Sequence, residues 1–366
     1  MNVPFNDLTR IHKPIQTKIL KNFEKLVNQS AFVLNKEIYE FEKKYAKYCG
    51  TRWAVSCSNG TDALELILRS LDIGYGDEVI IPSNTFIATA LAVTRSGATP
   101  VLVDCNNFFL IDPIKISKKI NKKTKAIIGV NLYGQLIDYS QLNKLIKKYK
   151  IYLIEDSAQS HGATQNGKKF NSSTIASSYS FYPGKNLGAW GDGGIVTTNN
   201  EKLYNRMVLI RNWGSKEKYK HDVIGFNSRL QPLQSIVLTE KLKYLDDWNY
   251  ERNEIANYYI ENLNHLITLE LPLVFSKNYH VWHLFVIKTK NRNELIDKCM
   301  KDGVQLLIHY PYPIHKQKAY KKSFSYNKNE LINSENDSSR IVSLPIFPKM
   351  QKKEVTKVVS TISKNI

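Results

Sequence analysis

The chain has 366 residues, 42% hydrophobic and 23% charged, which suits a soluble protein of two or so domains. Its 52 Lys and Arg against 33 Asp and Glu leave a formal charge of +19. The lysines are scattered, however, with no aromatic-basic recognition motif, so no nucleic-acid partner is expected and the field favours anionic small substrates. No apolar run approaches the ~18 residues of a membrane helix, and the start Met1–Leu8 lacks the pattern of a secretion signal. Cys49, Cys57, Cys105 and Cys299 show neither metal-ligand spacing nor a disulfide framework. The expectation is a cytoplasmic protein with no membrane partner and no metal.

Ile15, Ile19, Phe23 and Leu26 recur at helical spacing, as do Ile38, Phe41, Tyr45 and Tyr48 before Gly50, which predicts two opening amphipathic helices. Short apolar runs then alternate with helical patterns: 54–57, 78–81, 100–103, 126–130, 152–154, a run ending near Phe181, and 194–197. Such alternation predicts a mainly parallel sheet covered on both faces, an α/β domain. From Pro232 a long helical stretch runs through Leu263. Strands are predicted over 280–287 and 304–309, with helices over 292–302 and from about Lys352. The division is a large α/β domain over 1–246 and a smaller α+β domain over 247–366.

The chemistry centres on Ser180-Phe181-Tyr182-Pro183-Gly184-Lys185-Asn186. Pro183 and Gly184 fix and then free the backbone so that Lys185 is presented after a sharp turn. A lysine is often only a solvated turn residue, but a desolvated one becomes an amine nucleophile that forms a Schiff base with a carbonyl. Ser58-Asn59-Gly60-Thr61-Asp62 lies between a strand and a helix, where it is either an anion site or an ordinary N-cap. Phe86, after the next strand, is either a stacking surface for a flat ring or part of the core. Asp156 ends an apolar strand, where it can hold a proton on a heteroaromatic nitrogen or cap a helix. A metal is poorly served by Asp156, Gln159 and His161. Together, in chain order, these make a site for pyridoxal 5′-phosphate.

Those residues, with Asn59–Leu64, Gly76–Val79, Glu155–Gln159 and Gly225–Leu230, carry a resemblance over nearly the whole chain. The sequence resembles the DegT/DnrJ/StrS family of nucleotide-sugar aminotransferases. The resemblance implies a type I aspartate-aminotransferase fold, with Lys185 as the Schiff-base lysine and proton carrier. It further implies Asp156 on the pyridine nitrogen, Phe86 on the ring, Gln159 beside the cofactor's hydroxyl, and Gly60, Thr61 and Ser180 around its phosphate. In the family, the residue at Asn227 reaches the phosphate of the neighbouring subunit, which implies a homodimer with shared sites. Some members carry histidine at the lysine position and dehydrate their substrate, whereas this chain keeps lysine. Two positions depart from the family pattern. Asn35 replaces a common glycine, which asparagine allows where a left-handed backbone is needed, and Asn131 stands where many members have histidine.

The segment Gln305–Pro313 and the stretch Pro82–Thr89 resemble the subgroup that aminates C-3. That implies a dTDP-3-oxo-6-deoxyhexose as acceptor, L-glutamate as donor, and Tyr182 and His309 as substrate contacts. Amination at C-4 of a similar dTDP-, UDP- or GDP-linked sugar is the near alternative. A regulator or sensor without catalysis, built on the same fold, is the alternative of another class.

Overall fold

The computed structural model describes residues 1–321, 323, 324 and 326–366. Its centre is a seven-stranded sheet made of β1 (Trp53–Cys57), β2 (Glu78–Pro82), β3 (Thr99–Val103), β4 (Thr124–Val130), β5 (Tyr152–Asp156), β6 (Ala176–Ser180) and β7 (Gly194–Thr198). Across the sheet the order is β1-β7-β6-β5-β4-β2-β3. The strands from β6 to β3 pair in parallel, and β7 runs antiparallel to both its neighbours, β1 and β6. Because β7 reverses direction between them, β1 and β6 point the same way as the parallel strands, and the carboxyl ends of six strands line one edge.

Successive side chains of a strand face opposite ways, and here both faces are apolar. Val55, Val79, Ile81, Ile128, Ile154 and Val196 join one core, against the helices Gly60–Ser70 and Glu201–Ile210. Their strand neighbours Ile80, Ile127 and Leu153 join a second core, and Ala54 and Ile195 a third. Burial of each large aliphatic side chain contributes about 1.5–3 kcal/mol, so the sheet edge is a stiff platform for whatever is mounted on it.

The opening helices are Gln16–Gln29 and Lys36–Cys49. The second buries Ile38, Phe41 and Tyr45 and stops at Gly50, whose φ of 74° is a left-handed cap. Asn35 is not left-handed: its backbone is extended, and its side chain accepts the Ile38 N–H as an N-cap. The positive φ falls one residue earlier, at Leu34.

A separate apolar cluster gathers Ile255, Tyr259, Phe285, Ile287, Val342, Leu344, Val355, Val358 and Ile362, together with Val3 from the other end of the chain. Three sequence expectations change here. The helical stretch from Pro232 is two helices, Pro232–Lys241 and Leu245–Leu263, joined by a 3-10 turn. The strand expected over 280–287 is confined to Phe285–Lys288, which pairs antiparallel with Ile341–Leu344, a strand the sequence reading did not anticipate. Residues 304–309 form no strand: Val304 and Leu307 make only isolated bridges, to Val3 and Ser343.

No helix among the described residues is long and apolar enough to cross a membrane. The four cysteines are free and buried.

Candidate active site

The expected residues collect at the carboxyl edge of the sheet. After β1, Asn59 accepts the Asp62 N–H at 2.9 Å and so caps the helix Gly60–Ser70. Its capping leaves the amides of Gly60 and Thr61 and the Thr61 hydroxyl without protein partners among the described residues. Both readings of this stretch therefore hold together: it is a cap, and it leaves a small anion cup. A Cβ on Gly60 would lie 2.7 Å from Cβ of Ser180, so Gly60 lets the β6 end close the cup. The Ser228 hydroxyl braces it, donating to Asp62 at 2.7 Å while accepting the Ser58 N–H at 3.1 Å.

Asp156 ends β5 and is buried. One carboxylate oxygen accepts the Thr89 hydroxyl at 2.8 Å, and the other the Ala158 N–H at 3.2 Å. Burial raises its pKa, while those two bonds and the charge of Lys185 act in the opposite direction. Phe86 is 51% exposed, so it is not part of the core. Tyr310 lies 5.1 Å from it and accepts the Gln159 amide at 3.0 Å. The Gln159 oxygen in turn takes the Tyr133 N–H at 2.7 Å.

Lys185 sits on a loop closed at both ends, with Phe181 N–H to Gly193 O and Ala189 N–H to Phe181 O, each 2.8 Å. Within it the Lys185 N–H returns to Tyr182 O at 2.9 Å. The glycine this turn demands is Gly188, where a Cβ would meet Pro183 O at 2.1 Å. At Gly184 a Cβ would make only ordinary contacts, the nearest 3.6 Å from the Tyr182 ring, and its φ is ordinary. Burial brings the Lys185 amine down to about 8, against the pull of Asp156. Beneath the loop, the buried Lys241 ammonium donates to Gly188 O.

His309 bonds Ser343 through Nδ1 at 2.9 Å, and its ring stacks on Phe5 at 5.4 Å. Burial first, and Lys185 second, bring its pKa to about 4, so it is neutral at physiological pH. Tyr182 is 61% exposed at the mouth of the loop. Asn227 is exposed, its backbone bridges to Asn212, and it directly precedes the Ser228 that braces the cup.

The match to known proteins is decisive: residues 13–363 match the DegT/DnrJ/EryC1/StrS aminotransferase family. The chain belongs to that family. Like its members, this aminotransferase works with pyridoxal 5′-phosphate. It is 46% identical, over 99% of each chain, to a dTDP-3-amino-3,6-dideoxy-alpha-D-galactopyranose transaminase of Aneurinibacillus thermoaerophilus. At 39% identity, again over 99% of each, it resembles the erythromycin biosynthesis sensory transduction protein EryC1 of Saccharopolyspora erythraea. Among solved structures it resembles S. venezuelae DesV in complex with a ketimine intermediate, with a TM-score of 0.96 and 37% identity. That likeness covers 99% of this chain and 98% of the other.

The residues present suit the cofactor. An anion cup with two open amides takes a phosphate, a buried carboxylate takes a protonated ring nitrogen, and an exposed phenyl face takes the ring. Sequence reasoning missed several residues of the aminotransferase site: Thr89, which holds Asp156; Asn186 and His283, which tie down the lysine loop; and Lys241 beneath it. His283 left a trace in the sequence, as an imidazole in the otherwise apolar run Val281–Ile287.

Proposed function

We propose that the protein moves an amino group from L-glutamate to C-3 of a dTDP-3-oxo-6-deoxyhexose, giving a dTDP-3-amino-3,6-dideoxyhexose. The observation that carries this is the Lys185 amine, poised at about 8 on a closed loop and within the field of buried Asp156. Near that pKa, a substantial fraction of the amine is neutral and able to act as a base at physiological pH.

When bound, pyridoxal 5′-phosphate supplies an electron sink that weakens the bond to hydrogen at the donor's α-carbon. Gly60, Thr61 and Ser180 would hold its phosphate, Phe86 its ring face, Gln159 its hydroxyl side and Asp156 its ring nitrogen. Lys185 Nζ takes the proton from the glutamate α-carbon in the first half-reaction and delivers a proton to the sugar's C-3 in the second. Burial favours the protonated form of Asp156, and the Thr89 bond and the charge of Lys185 oppose it. Tyr182 and His309 would contact the sugar, His309 as a neutral ring. The galactose-type C-3 transaminase at 46% identity supports C-3 over C-4 and a dTDP-linked acceptor.

We also infer a homodimer. Asn227 is exposed, next to the Ser228 that braces the cup, and so is open to a partner subunit. The boundary between the two domains is placed at 246/247, within the start of the helix Leu245–Leu263. A sensor without catalysis is the second reading, which the name borne by the relative EryC1 favours. The presence of both Lys185 and Asp156 weighs against it.

The test is an absorbance spectrum of the purified protein with and without glutamate, for wild type and Lys185→Ala. The expected result is a visible band that shifts on adding glutamate in wild type and is absent or unresponsive in the variant. A wild type that stays colourless after incubation with pyridoxal 5′-phosphate would end the enzyme reading. Turnover of 4-keto but not 3-keto nucleotide sugars would overturn the C-3 assignment.

A further inference from the structure

Ser83 follows β2, and each of its polar groups is used inside the protein. Its N–H donates to Val103 O at 2.8 Å, and its carbonyl accepts the Ile314 N–H at 2.9 Å. Its hydroxyl lies 2.8 Å from His315 Nδ1. Across the same ring, His315 Nε2 is 2.9 Å from a carboxylate oxygen of Glu335, in the helix Ile332–Arg340. An ionised carboxylate only accepts, so Nε2 carries the hydrogen and Nδ1 accepts the Ser83 hydroxyl. Burial lowers the His315 pKa, against the pull of Glu335, and keeps the ring in that neutral form.

Serine, histidine and a carboxylate in a row are also the parts of a hydrolytic nucleophile. Here Ser83 and His315 are both buried, so the hydroxyl faces no substrate. The row is a tie between elements instead. One arm runs from Ser83 forward to Phe86, the other from His315 back through Tyr310 to His309. Beyond the tie, the rings of Phe86 and Tyr310 meet 5.1 Å apart. His309 is moored separately, by Ser343 on its ring and by the Tyr133 hydroxyl on its carbonyl. Between the two moorings Pro311 and Tyr312 are exposed, and the Gln317 amide reaches Tyr312 O at 3.3 Å.

We propose that His315 is a positioning residue for the sugar side of the recess: held by Ser83 and Glu335, it fixes the segment His309–Pro313 against the strand end that leads to Phe86. This rests on the aminotransferase reading, with His309 as a sugar contact. Ile314 packs in the sheet core, so the chain turns here with or without the imidazole. What the tie adds is a fixed distance between the two arms. A wall fixed beforehand loses little freedom when the sugar binds, so binding is tighter. Glu335 also pairs with Lys316 at 3.1 Å, so its charge and its bond to the ring are separated in the test below.

The experiment follows the two half-reactions of the holoenzyme separately by absorbance, one with glutamate and one with a dTDP-3-oxo-6-deoxyhexose. Ser83→Ala and Glu335→Ala each cut one bond of the tie. Each is expected to raise the KM for the sugar about tenfold, the scale of one buried hydrogen bond. Their kcat and their glutamate half-reaction are expected to stay within about twofold of wild type. Glu335→Gln keeps an oxygen for the Nε2–H without the charge, and is expected to restore the sugar KM. His315→Leu cuts both bonds and is expected to match or exceed the single variants. Should it not fold, the two single cuts decide.

An unchanged sugar KM in Ser83→Ala and Glu335→Ala would overturn the proposal. So would an equal loss in both half-reactions, which a general loosening of the fold would give. A Glu335→Gln as weak as Glu335→Ala would assign the effect to the charge beside Lys316 and refute the tie. Hydrogen exchange over residues 309–316 in cofactor-free protein separates the tie from the sugar reading. Faster exchange is expected in Ser83→Ala than in wild type, and equal exchange would refute the tie. A wild type that converts glutamate but no 3-oxo sugar, with that faster exchange in Ser83→Ala, would uphold the tie and end the C-3 sugar reading.

Discussion

The Thr89 hydroxyl donates to Asp156 at 2.8 Å, from the first turn of the helix Ile87–Ser96 that follows Phe86. One helix start thus carries both the aromatic face and a group that opposes protonation of the buried acid. Burial raises the Asp156 pKa and the Thr89 bond opposes that rise. Thr89→Val removes the opposition, so the acid becomes easier to protonate. The acidic limb of kcat/KM should then move to higher pH, by about one unit for a bond to a charged group. A limb that stays in place would show that Asp156 is not the group titrating there.

Glycine is demanded at one place in the lysine loop and merely tolerated at another. Gly188→Ala puts a methyl 2.1 Å from Pro183 O, backbone against backbone, where nothing can rotate away. Overpacking of that kind costs about 1–3 kcal/mol, which corresponds to roughly tenfold or more in cofactor affinity if the loop opens in response. Gly184→Ala meets nothing closer than 3.6 Å and should bind pyridoxal 5′-phosphate like wild type. Titration of both cofactor-free variants compares them directly. Equal binding by the two would contradict the assigned role of Gly188.

Lys241 is buried without a carboxylate partner, and burial lowers its amine to about 7. In the unfolded chain it titrates near 10.5. Between those values the unfolded state binds more protons, so this residue makes stability rise with pH from about 7 to about 10.5. Below about 7 its cost is constant. Lys241→Met should flatten that part of the stability profile, read as urea midpoints at pH 7 and pH 9. An unchanged slope would place the titration elsewhere.

Arg211 is 1% exposed and pairs with Glu42, which also accepts the Ser56 N–H at 2.8 Å. The Arg211 carbonyl accepts the Ser228 N–H at 3.0 Å, so the pair reaches the anion cup through the backbone. Arg211→Met strands the Glu42 charge and should cost about 3–5 kcal/mol. The double variant with Glu42→Gln should recover part of that loss. Urea unfolding of the three proteins measures both effects, and a double variant no better than the single would argue against a stranded charge.

Much of this was legible in the sequence because the sheet is apolar on both faces. Ile80 and Val79 point into different cores, so the run from Val79 to Ile81 reads as a buried strand whichever way it is viewed. The direction of β7 was not legible. Nothing in Gly194–Thr198 tells an antiparallel strand from a parallel one, since pairing is chosen by neighbours distant in the chain. Short strands such as Ile341–Leu344 also escape, because four residues carry too little pattern. In the site, Lys185 and Asp156 announced themselves by their turn and strand end. His283 did not, because what joins it to the lysine loop is a bond to Asn186, a residue 97 positions away in the chain.

Val3 bridges to Val304, its N–H bonds Gly303 O, and the Phe5 N–H bonds Gln305 across 300 residues of sequence. At about 5–20 residues per second of synthesis, roughly 15–60 s separate the emergence of Phe5 from that of its partners. During that interval Phe5 has no His309 beneath it, and the apolar place beside Val304 does not yet exist for Val3. Two segments about 300 residues apart thus close against each other, so Phe5 cannot take its place until the chain past Gln305 has followed.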